Sequence, residues 1–333
     1  MNIIVDAMGG DHAPQAVVAG CKMALAAMDD ISLTLVGNKK QIRREMELCD
    51  LGDDRIEIIH ADEVISGEDD PVEAIRKKKN SSMRIALSLL KEGKGDVAVS
   101  GGNTGAWISG TTLLVKRMKG VRRVALAPVM PSVDGCFLLL DAGANAECTP
   151  AFLKQFAIMG AIYMEKVMNV KKPCVKLVNI GAEEEKGTPL VTKTHALLKE
   201  TSLDYQGYIE ARDIPLGGAD VVVCDGFTGN VILKCMEGMG HAFTSMLKKV
   251  FMKNLATKAA AGIVKSGLGD LKKSMDYTEY GGAPILGAAK PVIKAHGSSN
   301  AKAFYHAIRQ ARLLVENRVT EAMAENIARY SED

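Results

Sequence analysis

Four times along this chain a short apolar run ends in or beside a polar residue, turns through glycine and enters a helix start. Asn2 to Asp6 leads into AMGGDHAP, Ala7 to Pro14, and Asp96 to Val99 into SGGNTGA, Ser100 to Ala106. Cys136 to Leu140 leads into DAGAN, Asp141 to Asn145, and Val221 to Cys224 into DGFTGN, Asp225 to Asn230. Strand, tight turn and helix in alternation argue for a mostly parallel, doubly wound sheet with helices on its faces. In such sheets ligands bind outside the carboxyl ends of the strands, where these turns fall. The expectation is a polar, backbone-lined cleft at one sheet edge.

The turn at SGGNTGA is the richest. Gly101, Gly102 and Gly105 let backbone N–H groups approach a ligand without interference from Cβ. Asn103 or Thr104 can cap the helix that follows, which carries Trp107, Ile108, Leu113, Leu114 and Met118 as its apolar residues. A helix opening from a glycine turn suits an anion, but a plain tight turn explains the same residues. It has neither the Lys-Ser/Thr of a P-loop nor the full GxGxxG spacing. At the first turn, Asp6, Gly9, Gly10, Asp11 and His12 are substrate-site candidates. The alternative there is Asp11 as the cap of a helix over Ala13 to Met28, with His12 a surface residue. In NIGAEEEKGT, Asn179 to Thr188, Glu184 and Lys186 are either part of a solvated turn or a carboxylate and an ammonium placed in the cleft.

Between these turns the pattern predicts strands over Ile31 to Val36, Ile56 to Ile59, Val124 to Val129 and Cys174 to Asn179. Helices are expected near Lys39 to Cys49, from Pro71 to the basic run Arg76 to Lys79, and over Ala151 to Val167. Another helix should begin near Thr228. The glycines of YGGAPILG, Tyr280 to Gly287, suggest bends rather than a ladder-filling strand. A strand at Val292 to Ala295 then enters HGSSN, His296 to Asn300. The helix after it, capped by Ser298 or Ser299, puts Phe304, Ile308, Ala311, Val315, Val319 and Ala322 on one face.

The 333 residues, 47% of them hydrophobic, support one α/β enzyme domain over 1–333 with two lobes around a cleft. A net charge of +2 is too balanced for a general nucleic-acid binder. The opening MNIIVDAMGGD does not read as a secretory leader, and glycines interrupt the longest uncharged run, Val97 to Val115. The seven cysteines form no CxxC pair and suit small buried residues in a reducing cytosol. No histidine or cysteine spacing calls for a metal. Two basic stretches stand out. Lys116 to Arg123 holds five basic residues and no acid, and suits either a helix C-terminus or a docking patch for an acidic partner. Residues 238–269 contain no acid and read as a basic amphipathic excursion for a membrane or partner, or as a core or dimer helix with a basic outer face.

Together and in order, DAMGGDHAP, SGGNTGA, DAGAN, NIGAEEEKGT, DGFTGN, YGGAPILG and HGSS resemble the PlsX family of bacterial phosphate acyltransferases, from Asp6 to roughly Ser299. The resemblance implies a three-layer α/β/α fold like that of phosphotransacetylase and the isocitrate/isopropylmalate dehydrogenases. It implies a homodimer, peripherally associated with the cytoplasmic membrane and needing no cofactor. The implied reaction converts fatty acyl-ACP and inorganic phosphate to acyl phosphate and acyl carrier protein, for phospholipid synthesis. A membrane glycerol-3-phosphate acyltransferase then consumes the acyl phosphate.

That chemistry requires phosphate to be brought to the thioester carbonyl and the tetrahedral oxyanion to be stabilised. From their placement, Ser100, Gly101, Gly102, Asn103, Thr104 and Gly105 are expected to hold the phosphate, with Asp6, Gly9, Gly10, Asp11, His12, Asp141, Asn145, Glu184 and Asp225 around it. Lys186 or Asn230 would contact the oxyanion and His296 would assist proton transfer to the leaving thiolate. Lys116, Arg117, Arg122 and Arg123 suit an acidic acyl carrier protein. Lys248, Lys249, Phe251, Lys253, Leu255, Ile263 and Val264 suit an anionic membrane. Two other classes compete: a nicotinamide-dependent dehydrogenase, disfavoured by the lack of GxGxxG after the first strand, and a non-catalytic scaffold, which leaves the strand-end turns unexplained. A covalent route through Cys224 is a lesser variant, since a buried strand thiol explains it as well.

Overall fold

The computed structural model describes residues 1–274 and 277–329. The strands are β1 (Asn2–Asp6), β2 (Ser32–Gly37), β3 (Ile56–His60), β4 (Val97–Ser100), β5 (Ala125–Leu126), β6 (Val129–Ser132), β7 (Gly135–Leu140), β8 (Cys174–Asn179), β9 (Asp204–Glu210), β10 (Val221–Val223), β11 (Ala283–Leu286) and β12 (Val292–Lys294). The helices are α1 (Gln15–Ala27), α2 (Lys39–Leu48), α3 (Pro71–Lys77), α4 (Ser82–Lys91), α5 (Thr104–Gly110), α6 (Pro150–Lys166), α7 (Pro189–Lys199), α8 (Gly226–Phe251), α9 (Leu255–Ile263), α10 (Lys265–Ser274), α11 (Ala301–Glu316) and α12 (Val319–Arg329).

One sheet runs in the order β3-β2-β1-β4-β12-β11-β5 and a second in the order β6-β7-β10-β8-β9. The pairs from β3 to β12 are parallel, as are those from β7 to β9; β11 and β6 run antiparallel to their neighbours. The central strands are apolar on both faces because helices cover both. Ile3, Val5, Val97, Val99 and Ile293 join the core beneath α1, α6, α11 and α12, whereas Ile4, Ala98 and Val292 join Trp107, Met83 and Leu87 beneath α4 and α5. The expected three-layer α/β/α architecture is present.

Several local expectations are corrected. The strand expected over Val124 to Val129 is divided. Ala125–Leu126 pairs with β11 in the first sheet and Val129–Ser132 with β7 in the second. Pro128 has no N–H for a ladder and marks the crossing. Residues Ala283–Leu286 do fill a ladder, pairing with β12 and β5, although glycines with positive φ, Gly281 and Gly287, bracket them. Asp11 does not cap α1, which starts after Pro14 without a side-chain cap. Asn103, not Thr104, caps α5, accepting from Ala106 N at 3.0 Å, and α5 passes into a π-turn, Thr111–Val115, short of Met118. Asn300 rather than Ser298 or Ser299 caps α11, and Arg318, with φ of 50°, separates α11 from α12. Helix α8 begins at Gly226 and continues unbroken for 26 residues into the basic stretch. Helices α4 and α7 and strand β9 had no counterpart in the sequence reading.

Candidate active site

Three parallel strands end together at the site. Asp6 of β1 is in register with Ser100 of β4, and Ser100 with Lys294 of β12, so the three side chains share one face of the sheet. All three are buried. The Ser100 hydroxyl donates to Asp6 Oδ2 at 2.6 Å and accepts from Gly102 N at 3.0 Å, and Met8 N donates to Asp6 Oδ1. Burial raises the Asp6 carboxyl, against the pull of its hydrogen bonds to Ser100, Ser82 and Met8. Gly9 closes this corner: a Cβ there would lie 2.6 Å from Asp6 Oδ2 and 2.7 Å from Gly102 N. No larger residue lets the first and second turns pack together. Lys294 Nζ donates to the carbonyl of Ala295. Burial pulls its ammonium down to about 8, with Asp6 and Asp11 opposing.

The edge formed by these strand ends opens onto a cavity of about 330 Å³. Thr104 and Gly105 of α5 line it, together with Gly281, Gly282 and the run Lys294 to Gly297. The second sheet contributes Pro128, Val129, Ala142 and Gly143, and α8 contributes Asn230, Leu233, Lys234 and Glu237. Lys234 Nζ pairs with Glu237 Oε2 at 2.8 Å, and His296 Nε2 lies 3.9 Å from Glu237 Oε1. Ser298 Oγ at 2.8 Å and Ser298 N at 3.3 Å both meet His296 Nδ1, so Nε2 is the ring nitrogen turned toward Glu237. Burial is the largest effect on the His296 ring and lowers its pKa below the ordinary 6.5.

The second sheet's contribution is organised by Asp141. Its carboxylate accepts from the backbone N–H groups of Leu126, Gly143, Ala144 and Asn145 and from Asn145 Nδ2. Asp225 caps α8 by accepting from Thr228 N and Thr228 Oγ1. Gly229 lets the Asp141 carbonyl approach the first turn of that helix, since a Cβ there would come within 1.9 Å of the oxygen. Docked in this way, α8 delivers Asn230 to the cavity. Cys224 is buried, its Sγ 3.8 Å from the Asp141 carbonyl, and burial holds its thiol well above 9.0. A nucleophile needs the thiolate, which this environment suppresses.

Of the residues singled out in the sequence, Thr104, Gly105, Asn230 and His296 line the cavity. Asp6, Gly9, Ser100, Gly101, Gly102 and Asn103 form the packed turns behind it, while Asp141, Asn145 and Asp225 shape its loops. Gly10 takes a positive φ, beside the exposed Asp11 and His12. Lys186 and Glu184 lie outside the cavity lining on the exposed loop after β8. Lys186 pairs with Glu183 at 2.7 Å, and Glu184 meets Lys199 and, at 3.6 Å, His195. Sequence reasoning missed Lys294, Lys234 and Glu237. The available signal for the first was a lysine inside the apolar run PVIKA, Pro291 to Ala295.

The basic stretches fall elsewhere. Lys116 and Arg117 contact Ala289 and Ala288 at the amino end of β12, whereas the cavity is at its carboxyl end. Arg117 donates to the Arg122 carbonyl, and the Arg123 guanidinium lies 5.6 Å from the centre of the Phe152 ring. The distal half of α8 and the helices after it expose Met239, Met246, Val250, Met252, Leu255, Ile263 and Val264. Phe243, Leu247, Phe251, Ala261, Leu268 and other residues enclose an apolar groove there. No helix among the described residues is long and apolar enough to cross a membrane.

A family profile described as fatty acid synthesis protein matches residues 1–322. A phosphate acyltransferase of Alkaliphilus oremlandii is 51% identical over 333 residues, spanning 100% of this chain and 99% of its own. A phosphate acyltransferase of Clostridium botulinum is 47% identical over 333 residues, with 100% and 99% covered. Among solved structures, a phosphotransacetylase from Streptococcus pyogenes superposes with a TM-score of 0.65 at 15% identity, over 95% of this chain and 94% of its own. A branched-chain phosphotransacylase from Enterococcus faecalis gives 0.58 at 16% identity, over 94% and 99%. At such identities the likeness is one of fold.

Proposed function

Because the chain belongs to the fatty acid synthesis protein family and is an acyltransferase, we propose that it transfers a fatty acyl group from acyl carrier protein to inorganic phosphate. One observation carries the proposal: a single cavity has cations and glycine-rich backbone on one side and apolar side chains on the other. Lys234, Lys294 and His296 supply the polar side, with Thr104 and Gly105 at the start of α5. Leu126, Pro128, Val129 and Leu233 supply the apolar side. An anion and an acyl thioester need these two surroundings side by side.

The phosphate dianion attacks the thioester carbon, forming a C–O bond and a tetrahedral oxyanion. Asn230, which lines the cavity from α8, donates its side-chain amide to that oxyanion in this proposal. Collapse breaks the C–S bond and releases a thiolate whose ordinary pKa is about 8.5 if it resembles cysteine's. The proton it requires is the one the phosphate carried. Neutral His296 accepts it from the phosphate oxygen and passes it to sulfur, so the reaction needs no net proton. Lys186, on the exposed loop after β8 and outside the cavity lining, is assigned to meet the incoming anion.

The acyl donor is acidic acyl carrier protein, and Lys116, Arg117, Arg122 and Arg123 are its proposed dock. The protein is taken as a homodimer resting on an anionic membrane through α8 to α10, where it hands acyl phosphate to a membrane glycerol-3-phosphate acyltransferase in phosphatidic acid synthesis. The exposed apolar residues among Lys248, Lys249, Lys253 and Lys258 support that contact. The direct test is release of free thiol from long-chain acyl-ACP with and without inorganic phosphate. Phosphate-dependent release with equal acyl phosphate formed is expected. No phosphate-dependent release by folded protein overturns the assignment.

A further inference from the structure

We propose that Lys294, which shares one face of the sheet with the Asp6–Ser100 pair, is the residue that holds the phosphate anion in this cavity. The proposal rests on the acyl-transfer reaction above and names its anion ligand. Three cationic or potentially cationic side chains line the cavity: Lys234, Lys294 and His296. Lys234 is neutralised by Glu237 at 2.8 Å. His296 is held neutral by burial. Lys294 alone of the three is a buried ammonium whose only hydrogen bond, among the described residues, goes to a backbone carbonyl.

A buried ammonium without an adjacent counter-ion is a costly arrangement. An arriving phosphate completes it. Asp6 is two strands away, in register through Ser100, and acts on Lys294 through space rather than as an ion pair. The Ser100 hydroxyl and Met8 N–H occupy Asp6, so its carboxylate is committed to the adjoining turns. The arrangement keeps Lys294 charged without closing it off. Asp11 on the first turn also acts on it, Lys234 and Glu237 reach the cavity from α8, and His296 lines it two residues further along the same run.

The test compares the wild type with Lys294→Met and Lys294→Arg in two measurements, turnover of acyl-ACP and calorimetric binding of inorganic phosphate alone. Lys294→Met is expected to raise the KM and Kd for phosphate by roughly tenfold or more, the loss of one charge-assisted contact, while the KM for acyl-ACP moves less than about twofold. Lys294→Arg should recover part of the phosphate affinity. Unchanged phosphate affinity in a folded Lys294→Met protein, or a fall in kcat alone, overturns the assignment. Should that variant fail to fold, Lys294→Gln, which keeps a polar head in the strand, replaces it in the same two measurements, and unchanged phosphate affinity there overturns the assignment equally. A wild type that binds phosphate without turning over acyl-ACP defeats the proposed reaction, and the binding comparison still decides the role of Lys294.

Discussion

The Ser100 hydroxyl donates to Asp6 Oδ2 at 2.6 Å between two fully buried side chains on neighbouring strands. This contact joins the AMGGD and SGGNTG turns, ninety-four positions apart in the chain. Removing the hydroxyl strips a buried carboxylate of a donor and leaves Gly102 N without its acceptor. Ser100→Ala should therefore cost about 1–3 kcal/mol of stability, read from urea denaturation. A loss below the error of that measurement would show the contact to be incidental.

Lys294 should be more costly for the fold than a hydrocarbon of its size. Its pKa falls from 10.5 to about 8 on folding. The folded state thus binds fewer protons than the unfolded state between those values, and stability rises with pH across that window. Below about 8 the full penalty applies, of order 3 kcal/mol from the size of the shift. Lys294→Met is expected to gain about 1–3 kcal/mol at pH 7, in denaturant titrations, and to lose that advantage by pH 10.5. The same substitution is expected to weaken phosphate binding, so stability and function should move in opposite directions.

His296 must be neutral to accept a proton, and burial pushes its pKa below 6.5. The acid limb of kcat/KM should therefore lie below 6.5, with the rate lost as pH falls through the folded value. His296→Gln keeps a polar group but cannot shuttle the proton, and kcat should drop by about 10²–10⁴-fold. A pH profile whose acid limb survives in that variant would assign the limb to another group.

The exposed helices carry the membrane prediction. Leu255→Glu with Ile263→Glu removes two of the most exposed apolar side chains beyond α8 and should abolish sedimentation with anionic vesicles. Lys248→Glu with Lys249→Glu should weaken it and remove most of its salt dependence. Thiol release from soluble acyl-ACP should persist in both, since neither pair touches the cavity. Vesicle binding unaffected by all four changes would discard the lipid surface as partner.

The sequence by itself determined the architecture and the places where chemistry gathers. Short apolar runs that end in Asp or Ser beside glycine can be little else than parallel strands opening onto a ligand edge, and β1, β4, β7 and β10 all end that way. Capping and turn chemistry are local, so the cap on α5 was readable within two residues, and Asn230 and His296 were legible because they follow such turns directly. Elements set by weaker local signals were not. Pro128 splits one apolar run between two sheets only because β11 and β7 lie on either side of it, and Gly281 and Gly287 bracket a strand whose partners are distant in the chain. Tertiary structure alone decided which polar groups face one another. Register across β1, β4 and β12 aligns Asp6, Ser100 and Lys294, and the docking of α8 on Asp141 brings Lys234 and Glu237 to the same cavity. A lysine in an apolar strand has no local partner to reveal it; its significance comes from burial and from charges brought close by folding. Lys186, conspicuous in an acidic turn, has its near partner in the local sequence, Glu183 three residues away.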